Sequence, residues 1–291
     1  MGTGRRSRFF FRYFLLFALL IFCLFQFNIH KVYGFSLYPD EFGYWASAAK
    51  MLGYDWSDTA ALGSYYSYGY GVLLAPILWA FHDCVTTYRA AIAVNVLLQC
   101  GMIGMLWGIL RRLYQAEISE EREIQLVMAV GVAAFYPPFS FYTQMTMAET
   151  LLAFLYILIC YQITLFVEKP NVVGAVLMAL SLLYIYFVHM RTVGVVIAAA
   201  ATLILYAWKN PGGRKALAAA AAILAVGALC GLWIKGRVIS TVYAPTDQKL
   251  LSANDFAGQL AKVKHIFSLP GMKQLFFSGI GKLYYLMAAS F

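Results

Sequence analysis

RRSRFFFRYFLLFALLIFCLFQFN, residues 5–28, contains four arginines followed by an apolar run, Leu15–Phe27. Basic residues on one flank of such a run favour a membrane helix whose amino-terminus faces the cytoplasm. No small-residue cleavage site follows Gln26. We therefore interpret the run as an uncleaved anchor, the first transmembrane helix, and not as a signal peptide.

The composition extends this interpretation to the whole chain. Of the 291 residues, 62% are hydrophobic and only 12% are charged, whereas a soluble domain carries about 25% charged residues. The net charge of +9 does not predict a nucleic-acid partner, because many of the basic residues flank apolar stretches and they form no basic face with exposed aromatic residues. The five cysteines include no CxxC pair, so neither a zinc site nor a disulfide framework is indicated.

About seven apolar segments approach the roughly 20 residues that a spanning helix needs. They are Phe9–Asn28, Ala90–Leu110, Ile124–Tyr142, Thr150–Val167, Val172–Met190, Thr192–Trp208 and Ala216–Ile234. Pro137-Pro138 predicts a break at the end of the third segment or the start of the following loop. The sequence thus predicts an all-α membrane protein that forms a single transmembrane domain over residues 1–291.

A further apolar stretch, Gly69–Phe81, is too short to span and is expected to lie flat as a juxtamembrane surface helix. This choice puts most basic residues ahead of the seventh segment on the cytoplasmic side, as the positive-inside rule demands. Residues 30–89 then form the first extracytoplasmic loop, and residues 235–291 form a second extracytoplasmic segment. Because Lys282–Met287 reads as the start of another apolar helix, we expect a carboxy-terminal part to be missing.

The loop after the first helix begins with Tyr38-Pro39-Asp40-Glu41-Phe42-Gly43-Tyr44-Trp45. Asp40 can cap a short helix, Glu41–Leu52, along the membrane surface. A carboxylate there can deprotonate an acceptor hydroxyl or hold a divalent metal ion. The alternative is that Asp40 is only a helix cap and Glu41 a solvated first-turn acid.

An Asp-Glu pair directly after the first transmembrane helix, followed by a surface helix, resembles the GT-C superfamily of integral membrane glycosyltransferases. That superfamily includes protein O-mannosyltransferases and lipid A aminoarabinose transferases. Its juxtamembrane helix is similar to the stretch from Tyr65 to Pro76, and its loop between the third and fourth spans to Tyr136–Leu152. His189-Met190-Arg191 resembles the basic position between its fifth and sixth spans. A second juxtamembrane acid has no clear counterpart, and the candidates are Asp55, Asp58 and Asp83.

The resemblance implies a glycosyltransferase of the cell membrane, with its active site outside, that moves a hexosyl or pentosyl group from a polyprenyl-phosphate carrier to an acceptor hydroxyl. It makes Asp40 the candidate general base, with electrostatic help from Glu41, and leaves a divalent metal cofactor open. Arg191 and Arg89 are the candidate phosphate ligands. The alternative for both arginines is snorkelling at the interface.

Three further residues are candidate substrate contacts. Glu149 begins the fourth span outside, where an acid is a functional candidate or simply a residue favoured by the helix dipole. Tyr66 and Tyr68 would stack on sugar rings or belong to an interfacial aromatic belt. Rival functions for the whole chain are a transporter or flippase component and a noncatalytic scaffold. The middles of the later spans lack charge, which favours surface chemistry over transport.

Overall fold

The computed structural model describes residues 3–35, 40–56, 58, 67–114 and 120–238, together with positions 268, 270 and 273. Within these residues every regular element is helical, in agreement with the predicted all-α class. The helices are α1 (Thr3–Ile29), α2 (Asp40–Met51), α3 (Gly69–Ala80), α4 (Cys84–Leu113), α5 (Glu120–Ala134), α6 (Pro137–Thr143), α7 (Glu149–Glu168), α8 (Val172–Val188), α9 (Val193–Lys209) and α10 (Arg214–Val238). Short 3₁₀ turns, Met190–Thr192 and Pro211–Gly213, precede α9 and α10.

The described helices confirm the membrane character but only part of the predicted number of spans. Three of them, α4, α7 and the stretch Pro211–Arg237, are long and apolar enough to cross a bilayer, and the bent pair α5–α6 would make a fourth. Tyr13–Ile29, α8 and α9 are apolar but shorter. The count of about seven spans therefore stays a prediction.

The third predicted segment is divided in two. Helix α5 ends at Ala134, α6 begins at Pro137, and their axes are bent by 48°. Proline has no backbone N–H to continue α5, yet its fixed φ suits the first turn of a new helix. The predicted break at Pro137-Pro138 is confirmed, but the residues after it form a helix and not an open loop.

Two hydrophobic clusters make up the core, and α4 contributes to both. One cluster joins α2, α3, α4, α7, α8, α9 and α10, and the other joins α1, α4 and α5. Helices α8 and α10 pack closely because Gly227 and Gly231 leave room for Leu183 and Phe187. The core therefore depends on shape at small residues as well as on apolar area, as is common where helices pack in membranes.

Side-chain contacts show which helix ends lie together. Arg112 on α4 pairs with Glu168 on α7 across 3.3 Å, so the carboxyl ends of these helices are neighbours. At the opposite end, Arg89 near the start of α4 donates to the carbonyl of Val32, just after α1. Helices α2 and α3 belong to this second end, because α3 begins against the backbone of Phe187 at the end of α8.

Helix α2 confirms the helix predicted after the first apolar run, shifted by one residue at each end. Most of its residues, from Glu41 to Ala49, are buried, because α3 packs along it. Gly71 of α3 permits this approach, since a Cβ there would lie 2.9 Å from Cβ of Ser47. Helix α2 is thus part of the packed structure, and its position along the membrane surface stays a prediction.

Candidate functional site

Glu41 is the centre of a buried hydrogen-bond network. Its side chain is fully buried, and Oε1 accepts from the hydroxyl of Tyr88 at 2.6 Å, the backbone N–H of Thr146 at 2.7 Å and the Thr146 hydroxyl at 2.8 Å. Trp45, one turn along α2, donates from Nε1 to the same Thr146 hydroxyl at 2.9 Å. The interpretation of Glu41 as a solvated acid is therefore wrong, because this carboxyl group is held by three donors inside the protein.

The network connects elements that are far apart in sequence. Glu41 and Trp45 lie four residues apart on α2 and so share one face of that helix. Tyr88 belongs to the first turns of α4, and Thr146 to the connection between α6 and α7. A single carboxyl group thus fixes α2 and the start of α4 to the segment that leads into α7.

Polar side chains on α4 also bind the segment from the end of α5 to the connection between α6 and α7. Asn95 donates from Nδ2 to the carbonyl of Met145 at 2.9 Å and faces the hydroxyl of Tyr70 at 3.4 Å. Gln99 donates to the carbonyl of Ala134 at 2.9 Å, and its Oε1 accepts from Thr143 at 3.1 Å. Sequence reasoning missed these residues. The signal was available, because an amide inside an apolar span needs a partner.

Glu149 and Arg191, predicted separately as substrate ligands, form an ion pair. Arg191 Nη2 lies 2.7 Å from Glu149 Oε1, and the two side chains are 58% and 21% exposed. Glu149 Oε2 is buried and has no hydrogen-bond partner. Glu149 follows Thr146 by three residues, so the Glu41 network and this ion pair share one short segment. The Arg191 side chain is therefore more than half exposed although it is paired, and its binding of phosphate stays a prediction.

The turn that carries Arg191 is held by backbone contacts. His189 Nδ1 accepts from the Arg191 N–H at 3.2 Å, and the hydroxyl of Thr192 donates to the His189 carbonyl at 2.8 Å. Burial, together with the charge of Arg191, lowers the pKa of His189 to about 4. The imidazole is therefore neutral at physiological pH, and Arg191 supplies the positive charge at this corner.

Arg89 has a different environment. Its Nε donates to the carbonyl of Val32 at 2.9 Å and its Nη2 to the carbonyl of His30 at 3.1 Å, while the guanidinium lies 5.6 Å from the ring centroid of Tyr33. These contacts satisfy carbonyl groups in the segment just after α1. They favour a role in joining α1 to α4, and phosphate binding by Arg89 stays a prediction that this geometry does not support.

Tyr68 has an environment that differs from the sugar-stacking prediction. Tyr68 is only 7% exposed, its ring stacks on Phe187 with centroids 5.4 Å apart, and its hydroxyl donates to the carbonyl of Gly231 at 3.4 Å. The ring is thus packed between α3, α8 and α10 and presents no open face to a sugar. Tyr66 lies outside the described residues.

The remaining acids in the described part of the chain lie apart from one another. Asp40 is half-buried at the first position of α2. Asp83 caps α4 by accepting from Thr86 N at 2.8 Å, and these hydrogen bonds lower its pKa. Among the residues that the structure describes, no three His, Cys, Asp or Glu side chains come together as metal ligands. Glu41 Oε1 is committed to three donors, so a divalent ion at Asp40 and Glu41 stays a prediction, and no step proposed below uses one.

Apart from Tyr66, the predicted site residues all lie at one end of the bundle, around the starts of α2, α4 and α7 and the turn before α9. The structure joins Glu41 to Thr146 and Glu149 to Arg191, while Arg89 and Tyr68 are engaged elsewhere at that end. No protein-family model, curated protein or solved structure matches this chain. Sequence motifs and this geometry are therefore the basis for assigning a function.

Proposed function

We propose that this chain is a membrane glycosyltransferase that moves a sugar from a polyprenyl-phosphate carrier to an acceptor hydroxyl on the extracytoplasmic side. The observation that carries the proposal is the convergence of Asp40, Glu41 and the Glu149–Arg191 ion pair at one end of an apolar bundle. Acids and an accessible cation at the end of a membrane bundle match a reaction between a lipid phosphate and a polar acceptor.

The proposed reaction uses these groups in defined roles. The acceptor oxygen attacks the anomeric carbon while Asp40 takes the hydroxyl proton. The bond from that carbon to the phosphate oxygen breaks, and its electron pair leaves with the polyprenyl phosphate. Arg191 binds the phosphate oxygens and stabilises the charge that develops on them. Glu41, which touches neither reactant, positions the start of α2 and the segment that carries Glu149.

This function needs about seven spans in the cell membrane. The amino-terminus would lie in the cytoplasm and the active site outside the cell. Helices α1, α8 and α9 would then span together with α4, α5–α6, α7 and α10, and α2 and α3 would lie in the outer interface. In support, the helix-end contacts of Arg112 with Glu168 and of Arg191 with Glu149 fall at opposite ends of α7, as alternating spans require.

A noncatalytic scaffold is the second candidate. The observation that favours it is the buried, fully engaged Glu41 network, which stabilises the fold without any substrate. Under this alternative the network holds a surface for another membrane protein, and Asp40 serves only the first turn of α2.

Turnover distinguishes the two. The full-length protein, reconstituted in lipid, is incubated with polyprenyl phosphates that carry a radiolabelled sugar and with extracytoplasmic glycan or peptide acceptors. We expect Asp40→Asn to lower transfer by about 10²–10⁴-fold, the usual contribution of a general base, while folding and donor binding persist. Glu121→Gln, an exposed acid at the opposite end, is the matched control and should keep full activity. Full activity in Asp40→Asn would assign Asp40 to a structural role only.

A further inference from the structure

An aromatic cleft of about 370 Å³ lies beside the Glu41 network. Its wall is formed chiefly by rings from the segment after α1, from α2 and the residues that follow it, and from the start of α4. The principal ones are Phe35, Trp45, Tyr54, Trp56, Phe81 and Tyr88. A cavity of this size lies at the lower end of the range for small-molecule sites, roughly 300–1,000 Å³, which suits one or two rings of a ligand.

Two wall residues connect the cleft directly to the candidate site. Tyr88 presents its ring to the cleft and donates its hydroxyl to Glu41 at 2.6 Å. Trp45 also lines the cleft, and its indole N–H donates to the hydroxyl of Thr146 at 2.9 Å. Phe35 packs edge-on against both, with centroids 6.4 Å from Trp45 and 5.9 Å from Tyr88. The Tyr88 hydroxyl and the Trp45 indole N–H are thus engaged in the Glu41 network, while the rings of these two residues line the cleft.

The described lining selects for a neutral ligand with both apolar and hydrogen-bonding surfaces. None of the described lining residues is Asp, Glu, Lys or Arg, so a phosphate would find no fixed counter-charge there. Tyr54, Trp56 and His82 bring hydroxyl, indole and imidazole groups to the same space. A pyranose ring has this character, because one face presents C–H bonds that pack on aromatic rings while its rim presents hydroxyl groups.

Building on the proposed function, we propose that the cleft binds a neutral carbohydrate ring of the acceptor. The acceptor is therefore a glycan and not a peptide, and its ring is separated from the phosphate site at Arg191. The donor's phosphate needs a cation at headgroup depth, which Arg191 offers at the α8–α9 turn. The cleft beside Tyr88, whose described lining residues carry no charge, is left for the second substrate.

Cys84 provides a direct test, because it is an exposed thiol that lines the cleft. The full-length protein is placed in phospholipid nanodiscs free of glycoside detergents, which would compete. Alkylation of Cys84 by a maleimide is followed by mass spectrometry in the presence of methyl hexopyranosides and their N-acetylamino forms. We expect at least one to slow alkylation about tenfold at ten times its Kd. The rate at Cys230, on α10, should not change.

Three variants test whether the protection arises in the cleft. Trp56→Ala should abolish it, because it removes a stacking face and a donor from the lining. Trp79→Ala is the matched control, since Trp79 is 70% exposed on α3 and is not part of the lining. Tyr54→Phe, which changes only a half-exposed hydroxyl, should weaken protection without affecting the fold.

Binding of polyprenyl monophosphate is measured in parallel on wild type and Arg191→Ala. This second measurement separates a failure of the carbohydrate site from a failure of the proposed function. Donor binding without any protection by glycosides overturns the carbohydrate site alone. Protection of Cys84 by polyprenyl monophosphate, or equal protection in Trp56→Ala, also overturns it. Protection by a glycoside in a chain that binds no polyprenyl phosphate supports the cleft and refutes the proposed donor.

Discussion

At the scale of single residues, Asp40 and Glu41 show how adjacent acids acquire different roles. Successive helical residues project about 100° apart, so only one of the two can face the protein interior fully. Glu41 faces α4 and Thr146 and is completely buried, while Asp40 stays half-buried at the start of α2. The pair thus consists of one fully buried acid, which we propose as a positioning group, and one half-buried acid.

Replacing Glu41 tests this assignment. Glu41→Ala should destabilise the protein by on the order of 3 kcal/mol, because it leaves the N–H of Thr146 and the hydroxyl of Tyr88 buried without an acceptor. Glu41→Gln keeps an oxygen that can accept from the same donors and should lose far less. Unfolding of the purified protein by graded denaturant, followed by tryptophan fluorescence, measures the difference. Equal stability of wild type and Glu41→Ala would show that these donors are satisfied without the carboxyl group.

At the scale of elements, the start of α3 decides how the loop helices meet the bundle. Gly69 and Gly71 lie on either side of Tyr70, which is fully buried. A side chain at Gly69 would collide with the backbone of Phe187 and Val188, and one at Gly71 would press on Ser47 of α2. Helix α3 is thus wedged between α2 and α8 at positions where only hydrogen fits.

We expect Gly69→Ala to destabilise the protein by at least about 1–3 kcal/mol, the usual cost of overpacking, because backbone atoms cannot move aside as a flexible side chain can. Gly194→Ala in α9 is the matched control. No atom lies within 4 Å of a Cβ built there, and alanine favours a helix interior by roughly 0.5–1 kcal/mol. Thermal unfolding of both variants in the same lipid would reveal opposite shifts in Tm. A Gly69→Ala protein as stable as wild type would contradict the close packing of α3 on α8.

At the scale of the whole molecule, the ends of the bundle differ in chemistry. One end carries Asp40, Glu149, Arg191 and the aromatic cleft, and the other carries Arg112 with Glu168 and the charged start of α5. Basic residues near short loops mark the cytoplasmic side. The end that carries the candidate site is therefore expected to face outward.

Labelling of intact cells tests this orientation. A membrane-impermeant maleimide should react with the native, exposed Cys84 from outside. Glu121→Cys, built on a Cys84→Ala background, should react only after the membrane is permeabilised, because residue 121 begins α5 at the other end. Reaction of both positions with the reagent in intact cells would overturn the proposed number and parity of spans.

Hydrophobic length and the proline pair were sufficient to predict the helices, because these properties act through the solvent and the local backbone. Each predicted span coincides with a described helix or helix pair, and Gly69–Ala80 is the short helix that its length indicated. Partners distant in sequence could not be predicted in this way. Three contacts depend on which helix faces meet. Glu41 is buried against Tyr88 and Thr146. Arg89 binds carbonyl groups after α1, and Tyr68 stacks on Phe187. Helix packing decides those meetings through close fits such as that at Gly69, whereas hydropathy reports only how apolar a segment is and not which neighbour it contacts.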